Sequence, residues 1–269
     1  MITVQRADER LHTRIDWLDS WHSFSFGSHY HPDHVNHGLL LVNNDDRVAP
    51  SGGFGTHSHR DMEIVTWVLE GRLEHRDSQG NHGILYPGLA QRMSAGTGIA
   101  HSEYNASDTE PVHFIQMWVR PDTAGIAPGY EQRDLNDSLA EGGLRVIASG
   151  KNHPGAIHIN QRDAEFSVAR LAAGESVTIP ADAHVHVFIA RGTGRFDPLS
   201  SDAYDVAAGG GSRLLNVAAG DGSRLLNVAA GDGIPLLDVA AGDGIRLTGH
   251  GESRFTATTS AEILVWATA

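Results

Sequence analysis

The chain has 269 residues, 40% of them hydrophobic and 20% charged, which is typical of a globular protein with one large or two ordinary domains. Its formal net charge of −13 argues against a nucleic acid or an anionic membrane as a partner, because both attract basic surfaces. It has no cysteine, which excludes disulfides, thiolate zinc sites and cysteine nucleophiles.

The N-terminus predicts a cytoplasmic protein. The first twelve residues, MITVQRADERLH, are polar and charged and lack the apolar segment of a signal peptide. The longest aliphatic run, LLLV at 39–42, is far too short to span a membrane. The absence of cysteine also suits a reducing compartment.

Short segments with alternating apolar residues recur along the chain, and long helical periodicity is scarce. Five of them are predicted to form short strands closed by turns: MEIVTWVLEG (62–71), GILYPG (83–88), VHFIQMWVRP (112–121), EFSVARLAAGESVTIP (165–180) and HVHVFIARGTGRF (184–196). DSQGN (77–81) has the composition of a hairpin tip. This spacing predicts an all-β fold of the barrel, sandwich or jelly-roll type.

The polar stretch from about Gly125 to Gly143 interrupts the strands and is predicted to be a domain junction. It divides the chain into two β-domains of similar size, residues 1–135 and 136–269. A phrase in the second half, AAGESVTIPADAHVHVFIARG, echoes FGTHSHRDMEIVTWVLEG in the first. An internally duplicated barrel would explain both observations.

Residues 205–248 are four tandem copies of an 11-residue unit: DVAAGGGSRLL, NVAAGDGSRLL, NVAAGDGIPLL and DVAAGDGIRLT. Near-identity at a fixed period indicates tandem duplication. Each unit joins a short apolar segment to a glycine-rich turn. A calcium-binding β-roll has a nine-residue unit that does not match, so a duplicated hairpin in the second domain is predicted.

Histidine spacing predicts a metal site. His57 and His59 are two residues apart, so on a strand their side chains face the same way, and Glu63 has the same parity. His101 and Glu103 repeat this spacing later in the chain. Two such strands in a barrel could direct three imidazoles and one carboxylate at a single ion. The spacing does not decide which glutamate is the ligand.

The types of ligand restrict which metal ions could bind. Imidazole and carboxylate without sulfur suit iron(II), manganese, cobalt, nickel, copper or zinc, and suit calcium or magnesium poorly. Open positions beside such ligands are typical of non-haem iron chemistry with dioxygen. One divalent ion, iron(II), is therefore predicted.

Two segments match the motifs of the cupin family: HSHRDME fits HxHxxxE, and GIAHSEYN fits GxxHxxxN. More closely, the chain resembles the pirin family, especially its bacterial quercetinase-like members. The segments that carry this resemblance are WLDSWHSFSFGSHYHPD, GFGTHSHRDMEIVTWVLEG, EHRDSQGN and MSAGTGIAHSEYN. The resemblance extends from about residue 2 to the end of the chain and is strong to about residue 135.

The pirin resemblance implies a bicupin fold, two jelly-roll barrels with one metal in the N-terminal barrel and none in the C-terminal barrel. It implies four ligands, His57, His59, His101 and Glu103. Glu63 would then lie behind the ligands, orienting one imidazole, or be a displaced ligand. The tandem repeat is the clear departure from the family.

The resemblance also implies an activity, the opening of the heterocycle of flavonols such as quercetin by O2 with release of carbon monoxide. Glu103 would take the proton of the substrate hydroxyl. The alternative is a metal-binding regulatory protein without enzymatic activity, which acts through a protein partner.

The other candidate residues are predicted to be structural. His184 and His186 form a second HxH without a following HxE, and two ligands alone do not make a metal site. Five further histidines lack partner spacing: His75, His82, His113, His153 and His158. Three aromatic residues are expected to pack in a core, although they could line an aromatic-binding pocket: Trp67, Trp118 and Phe54.

Overall fold

A computed structural model of the chain describes residues 1–199, 212–219, 222–229 and 236–269. It is 57% strand and 3% helix, which confirms the predicted all-β class. Within these ranges no helix is both long and apolar enough to cross a lipid bilayer.

The first twelve strands, β1 to β12, are Ile2–Gln5, Leu11–Ile15, Leu18–His22, Leu40–Val48, Gly53–His59, Glu63–Glu70, Leu73–Asp77, His82–Leu85, Leu89–Ser94, Ile99–Asn105, Val112–Val119 and Gly129–Asp134. Strands β13 to β24 are Arg145–Ser149, Ile157–His158, Ala164–Leu171, Ser176–Ile179, Asp182–Arg191, Thr193–Asp197, Ser212–Ala219, Gly222–Ala229, Leu237–Ala240, Gly244–His250, Ser253–Ala257 and Ala261–Thr268. The described helices are a 3-10 turn, Ala7–Glu9, and the α-helix α1, Asn136–Ala140. The five segments predicted to form strands all do so.

The chain forms two compact units. The N-terminal unit comprises Leu11–Ala140 and Val146–Glu165, and the C-terminal unit comprises Met1–Arg10, Glu141–Arg145 and Phe166–Ala269. These bounds differ from the predicted division after residue 135. The first residues belong to the C-terminal unit because β1 pairs antiparallel with β22.

The predicted interruption at residues 125–143 is partly wrong, because it contains strand β12 as well as α1. Strand β12 pairs antiparallel with β9 and is the edge strand of its sheet. None of its residues is buried. An exposed edge strand tolerates polar residues, so this strand lacks the apolar alternation by which strands are recognised.

Two antiparallel sheets build the N-terminal unit, one in the order β12-β9-β6-β11-β4-β3-β2 and one in the order β5-β10-β7-β8. Residues of both sheets pack in one apolar cluster, which includes Phe114 of the larger sheet and Leu73 of the smaller. A second cluster includes Ile64, Met93 and Ile99. The two sheets therefore face each other across a shared interior.

Buried polar side chains cross the larger sheet between the two clusters. They are direct cross-strand neighbours on five strands, and we call them the polar row: His22, Asn44, Gln116, Thr66 and Gln91. On β6 and on β9 the polar residue lies between a member of one cluster and a member of the other. Because buried polar groups need hydrogen-bond partners, this row makes the middle of the interior suited to polar chemistry.

The C-terminal unit also has two sheets, in the orders β1-β22-β17-β24-β15 and β16-β23-β18-β21, which share one apolar core. The fourth repeat copy is part of this framework, since residues 238–248 include most of β21, a turn and most of β22. In the turn, buried Asp243 accepts hydrogen bonds from Arg6 Nη1 at 2.7 Å, Ala7 N at 2.9 Å and Ala240 N at 3.1 Å.

Of the other repeat copies, strands β19 and β20 pair antiparallel in register from Ser212↔Ala229 to Ala219↔Gly222. The remainder of the predicted duplicated hairpin, residues 205–211, 220–221 and 230–235, lies outside the described residues.

Candidate metal centre

Strands β5 and β10 bring the three predicted imidazoles together. They pair antiparallel with His57 opposite His101 and with His59 opposite Ile99. The ring centroids are 4.5 Å apart for His57 and His101, 4.8 Å for His57 and His59, and 4.9 Å for His59 and His101. Alternate positions of a strand share one face, so the HxH spacing leads directly to this cluster.

A β-bulge positions Glu103. The register shifts after His101, so that Glu103 lies opposite Phe54, and three residues of β5 span two of β10. Such bulges re-aim side chains beside functional sites. A Cβ atom on Gly53 would lie 2.5 Å from the carbonyl oxygen of Glu103, so a larger residue there would displace the backbone that carries this carboxylate.

Several lone pairs in the cluster are buried and have no partner. Among the described residues nothing hydrogen-bonds to His59 Nε2, His101 Nε2 or Glu103 Oε1. His57 Nδ1 lies 2.8 Å from the carbonyl oxygen of Gly55 and donates to it, which leaves Nε2 as the ligating nitrogen. Unpaired buried polar atoms are costly, and three imidazoles with one carboxylate are a set that first-row divalent ions bind. The residues therefore fit a metal ion.

Burial sets the protonation of these groups. Burial, and then the charge of His57, lowers the pKa of His59 to about 4. Burial and the neighbouring imidazoles lower the pKa of His101 to about 2. Both rings are therefore neutral at physiological pH, which is the form that binds metals. Burial raises the pKa of Glu103 to about 7, against the opposing effect of its hydrogen bond from Gln116.

Gln116, a member of the polar row, fixes the orientation of Glu103. Its Nε2 donates to Glu103 Oε2 at 2.6 Å, while its Oε1 accepts from Trp118 Nε1 at 3.2 Å. Because the indole can only donate, the amide of Gln116 has one orientation. Glu103 Oε1 is then the oxygen left for a ligand.

A cavity of about 510 Å³ opens beside the cluster, and His57, His59 and Glu103 are among its lining residues. Its apolar lining includes Phe26, Phe54 and Trp118. Phe54 and Trp118 pack against the two apolar clusters, as expected, and they also line the cavity. The expected core packing is also confirmed for Trp67, which is fully buried.

A second buried acid, Asp46, lines the same cavity. Nothing in the sequence pattern predicted that it would lie there. The hydroxyl of Ser20, its cross-strand neighbour, donates to Asp46 Oδ1. Burial raises the pKa of Asp46 to about 7, with further upward contributions from Asp45 and Glu103 and an opposing one from Ser20.

Glu63 does not meet the site histidines. Its Oε2 accepts from Ser94 Oγ at 2.9 Å and from the backbone N–H of Asn160 at 3.0 Å. The predicted alternative, in which Glu63 orients one imidazole, is therefore wrong. Its carboxylate instead holds a loop of the N-terminal unit.

His75, predicted to be a structural residue without a partner, belongs to the cluster. Strand β7 pairs with β10 with His75 opposite Glu103, and His75 Nδ1 lies 3.4 Å from His101 Nδ1. Its Nε2 lies 3.2 Å from Asp77 Oδ2. The signal in the sequence was the pair His75 and Asp77, which are two residues apart where the strand enters the hairpin tip.

The remaining predicted residues lie away from the cluster. On the N-terminal unit, His113 Nε2 is 2.6 Å from Asp45 Oδ1, and exposed His82 is 2.8 Å from Glu74 Oε1. His153 and His158 are exposed. On β17 of the C-terminal unit, His184 and His186 share the face opposite to core residues of the same strand. That this unit holds no metal stays a prediction.

The chain is similar in sequence to known proteins. The family model described as Pirin matches residues 4–119. A Mycobacterium tuberculosis protein with the provisional name of a quercetin 2,3-dioxygenase is 55% identical over 192 residues, 71% of this chain and 79% of the relative. The quercetin 2,3-dioxygenase of Escherichia coli K12 is 41% identical over 206 residues, 76% of this chain and 88% of the relative.

Two solved structures share this fold. The crystal structure of YhhW from Escherichia coli has a TM-score of 0.80 and 32% identity and covers 100% of this chain and 98% of that one. A second structure, of the bacterial pirin YhhW in complex with nickel(II), has a TM-score of 0.78 and 32% identity and covers 99% of this chain and 98% of that one.

Proposed function

Because this chain belongs to the pirin family, we propose that it is a metal-dependent dioxygenase that opens the heterocycle of a flavonol such as quercetin with O2. One observation carries the proposal. Buried imidazole nitrogens and a carboxylate oxygen, which have no hydrogen-bond partner and could bind a metal, lie beside a cavity with aromatic walls. A volume of about 510 Å³ suits a small aromatic molecule, since ligand pockets span about 300–1,000 Å³. The relative from Escherichia coli, named quercetin 2,3-dioxygenase, supports the substrate class.

Four residues would hold one divalent ion, which we propose is iron(II): His57, His59, His101 and Glu103. The nickel(II) complex of YhhW supports a divalent ion in this family, and nickel, zinc, manganese, cobalt and copper accept the same ligands. When bound, the ion supplies Lewis acidity and the chemistry with dioxygen.

Glu103 is the proposed base. In the metal-free protein burial raises its pKa to about 7, and as a carboxylate beside the cavity it would accept the proton of the flavonol 3-hydroxyl. The hydrogen bond from Gln116 holds Oε2 in place while the proton arrives at the carboxylate. Trp118 keeps Gln116 in the required orientation, so the base is positioned by a chain of two hydrogen bonds.

The cavity walls bind and orient the substrate. Phe26 and Trp118 contact each other edge to face with ring centroids 5.5 Å apart, and Trp118 also contacts His59 edge to face at 4.9 Å. Flat aromatic substrates pack favourably against such rings and displace water from the cavity. The dry pocket prevents hydrolytic side reactions.

Oxygen uptake tests the proposal. Protein loaded anaerobically with iron(II) is mixed with quercetin and O2, and both O2 consumption and carbon monoxide release are measured beside metal-free protein. We expect flavonol-dependent uptake with carbon monoxide only in the loaded protein. No uptake by protein shown to hold one metal per chain would contradict the enzyme and favour the regulatory alternative.

Metal affinity should weaken below neutral pH because of Glu103. With a pKa of about 7, the carboxyl group is protonated below that pH and must lose its proton to bind, so affinity falls by up to about tenfold per pH unit and levels off above pH 7. His59 and His101 stay neutral throughout this range and add no slope. Titration against a chromophoric chelator at several pH values measures this dependence.

Two variants assign the titrating group. Glu103→Gln should flatten the pH dependence, whereas Asp46→Asn, which removes the other buried acid of the cavity, should keep it. A slope that persists in Glu103→Gln would show that another group carries the proton.

A further inference from the structure

Three buried side chains stand in line behind the centre. His101 Nδ1 lies 3.4 Å from His75 Nδ1, and His75 Nε2 lies 3.2 Å from Asp77 Oδ2. His101 is 2% exposed, and the side chains of His75 and Asp77 are 0% exposed. The ring of Tyr130 packs on His75 with centroids 5.0 Å apart. The line runs from the interior of the barrel to the hairpin tip at residues 77–81.

The direction of each hydrogen bond follows from Asp77. Both carboxylate oxygens of Asp77 accept from N–H groups, Oδ1 from the backbone of Gln79 and Asn81 and Oδ2 from Asn81 Nδ2 at 2.9 Å. Asp77 is therefore an ionised acceptor, and His75 must donate to it from Nε2. A ring that donates from Nε2 as a neutral imidazole has a lone pair at Nδ1, and an amide donor, Gln91 Nε2, approaches that atom. His75 Nδ1 is then an acceptor.

The acceptor on His75 determines the tautomer of His101. With a lone pair at His75 Nδ1, the facing Nδ1 of His101 carries the proton, and His101 Nε2 keeps its lone pair. Gln91 Nε2, 3.5 Å from His75 Nδ1, approaches as a second donor to the same lone pair. His101 Nε2 is one of the buried unpaired atoms of the centre.

We propose that Asp77 and His75 are positioning residues that lock His101 in its metal-binding tautomer through a relay of hydrogen bonds from the 77–81 hairpin. This inference rests on the proposed metal site and not on the proposed reaction. Carboxylates and carbonyls are the usual partners of ligating histidines, and here an imidazole stands between the ligand and the carboxylate. Through these hydrogen bonds the negative charge of Asp77 also raises the basicity of His101 as a metal ligand.

Replacing Asp77 by asparagine tests the direction of the hydrogen bonds in the relay. Asp77 Oδ1 accepts from the backbone N–H groups of Gln79 at 2.9 Å and Asn81 at 3.0 Å, so in Asp77→Asn the amide oxygen keeps that place. The amide nitrogen then replaces Oδ2, which accepts from His75 Nε2 and from Asn81 Nδ2 at 2.9 Å. It can only donate, so the side-chain amide of Asn81 must turn its oxygen towards it. His75 Nε2 must accept, its proton moves to Nδ1, and His101 is driven to the tautomer with the proton on Nε2. Asparagine, the closest isostere of aspartate, therefore leaves a proton on His101 Nε2, the nitrogen that would bind the metal.

Asp77→Ala removes the acceptor but supplies no opposing donor, so both tautomers of His75 remain accessible. The relay thus predicts the order of metal affinity wild type, then Asp77→Ala, then Asp77→Asn, with each step about tenfold or more. A purely structural role for Asp77 predicts the reverse order of the two variants, because asparagine preserves the hairpin bonds and alanine does not.

The experiment measures zinc(II) and cobalt(II) affinity of the full chain by chelator competition, with ¹⁵N NMR of the histidine rings in metal-free protein as a second readout. We expect the ring nitrogens of His101 to exchange their protonated and unprotonated signals in Asp77→Asn only. Asp134→Asn is the matched control, since Asp134 accepts from the backbone N–H of Asn136 at 2.9 Å with no histidine behind it. It should change neither readout.

An affinity of Asp77→Asn equal to or above that of Asp77→Ala, or an unchanged His101 tautomer, would overturn the relay. Neither measurement requires a flavonol or turnover. A failure of the dioxygenase proposal therefore leaves these results interpretable.

Discussion

Replacement of His101 by alanine is expected to empty the metal centre and to lower flavonol-dependent oxygen uptake by about a thousandfold or more. His101 is the most deeply buried of the three imidazoles and lies within 5 Å, centroid to centroid, of the other two. An ion supplies several kcal/mol of transition-state stabilisation, and about 1.4 kcal/mol corresponds to tenfold in rate. Metal content by mass spectrometry and oxygen uptake are measured on the same sample.

The matched control is His184→Ala, which removes one histidine of the HxH in the C-terminal unit. It should retain one metal per chain and its full rate. If His101→Ala still held one tightly bound ion, the ligand set proposed here would be wrong. Loss of metal in His184→Ala instead would place the site in the other unit.

Glu103→Gln should separate metal binding from turnover. The hydrogen bond from Gln116 needs an acceptor, so the amide oxygen of the new side chain occupies that position and its nitrogen faces the ion. Three imidazoles remain to hold the metal with reduced affinity. Turnover should fall by about 10²–10⁴-fold, the usual contribution of a positioned base. Steady-state rates at saturating metal, with bound metal quantified, measure this separation.

Glu63→Gln is the control for Glu103, because a general cupin pattern would make Glu63 the ligand. Its carboxylate bonds to Ser94 and Asn160, so this variant should keep both its metal and most of its turnover at temperatures where it is folded. Full activity of Glu103→Gln would end the proposal that this carboxylate is the base.

The parts of the molecule that were predictable are those in which neighbouring residues of one strand act together. HxH on β5 and HxE on β10 each place two side chains on one face, and the apolar alternation of the same barrel marks most of its strands. The resemblance to pirins predicted Glu103 as the fourth ligand where the spacing alone left the choice open. The three imidazoles lie together, and Glu103 groups with His101 and His75. That these four residues hold a metal stays a prediction.

The parts that were missed depend on which strands become neighbours. His75 lies beside His101 only because β7 pairs with β10. The polar row exists only because five strands pair in a register that places polar residues distant in the chain, such as Gln116 and its neighbours on β4 and β6, side by side. Asn43 to Asp46 have the composition of a turn, yet all four are buried in β4. Their hydrogen-bond partners, which make a buried strand tolerable, come from other segments.

Among the described residues, the fourth repeat copy supplies most of β22 of the C-terminal sheets, and its sequence differs from each other copy at one position that matters there. In the third copy Pro235 corresponds to Arg246, which lies in β22 between two paired strands, and proline has no N–H for such a ladder. In the second copy Ser223 corresponds to core residue Ile245, and in the first Gly210 corresponds to Asp243. Three single-residue differences thus favour the fourth copy at this place. If the four copies were identical, several of them could compete for the same position in the sheet.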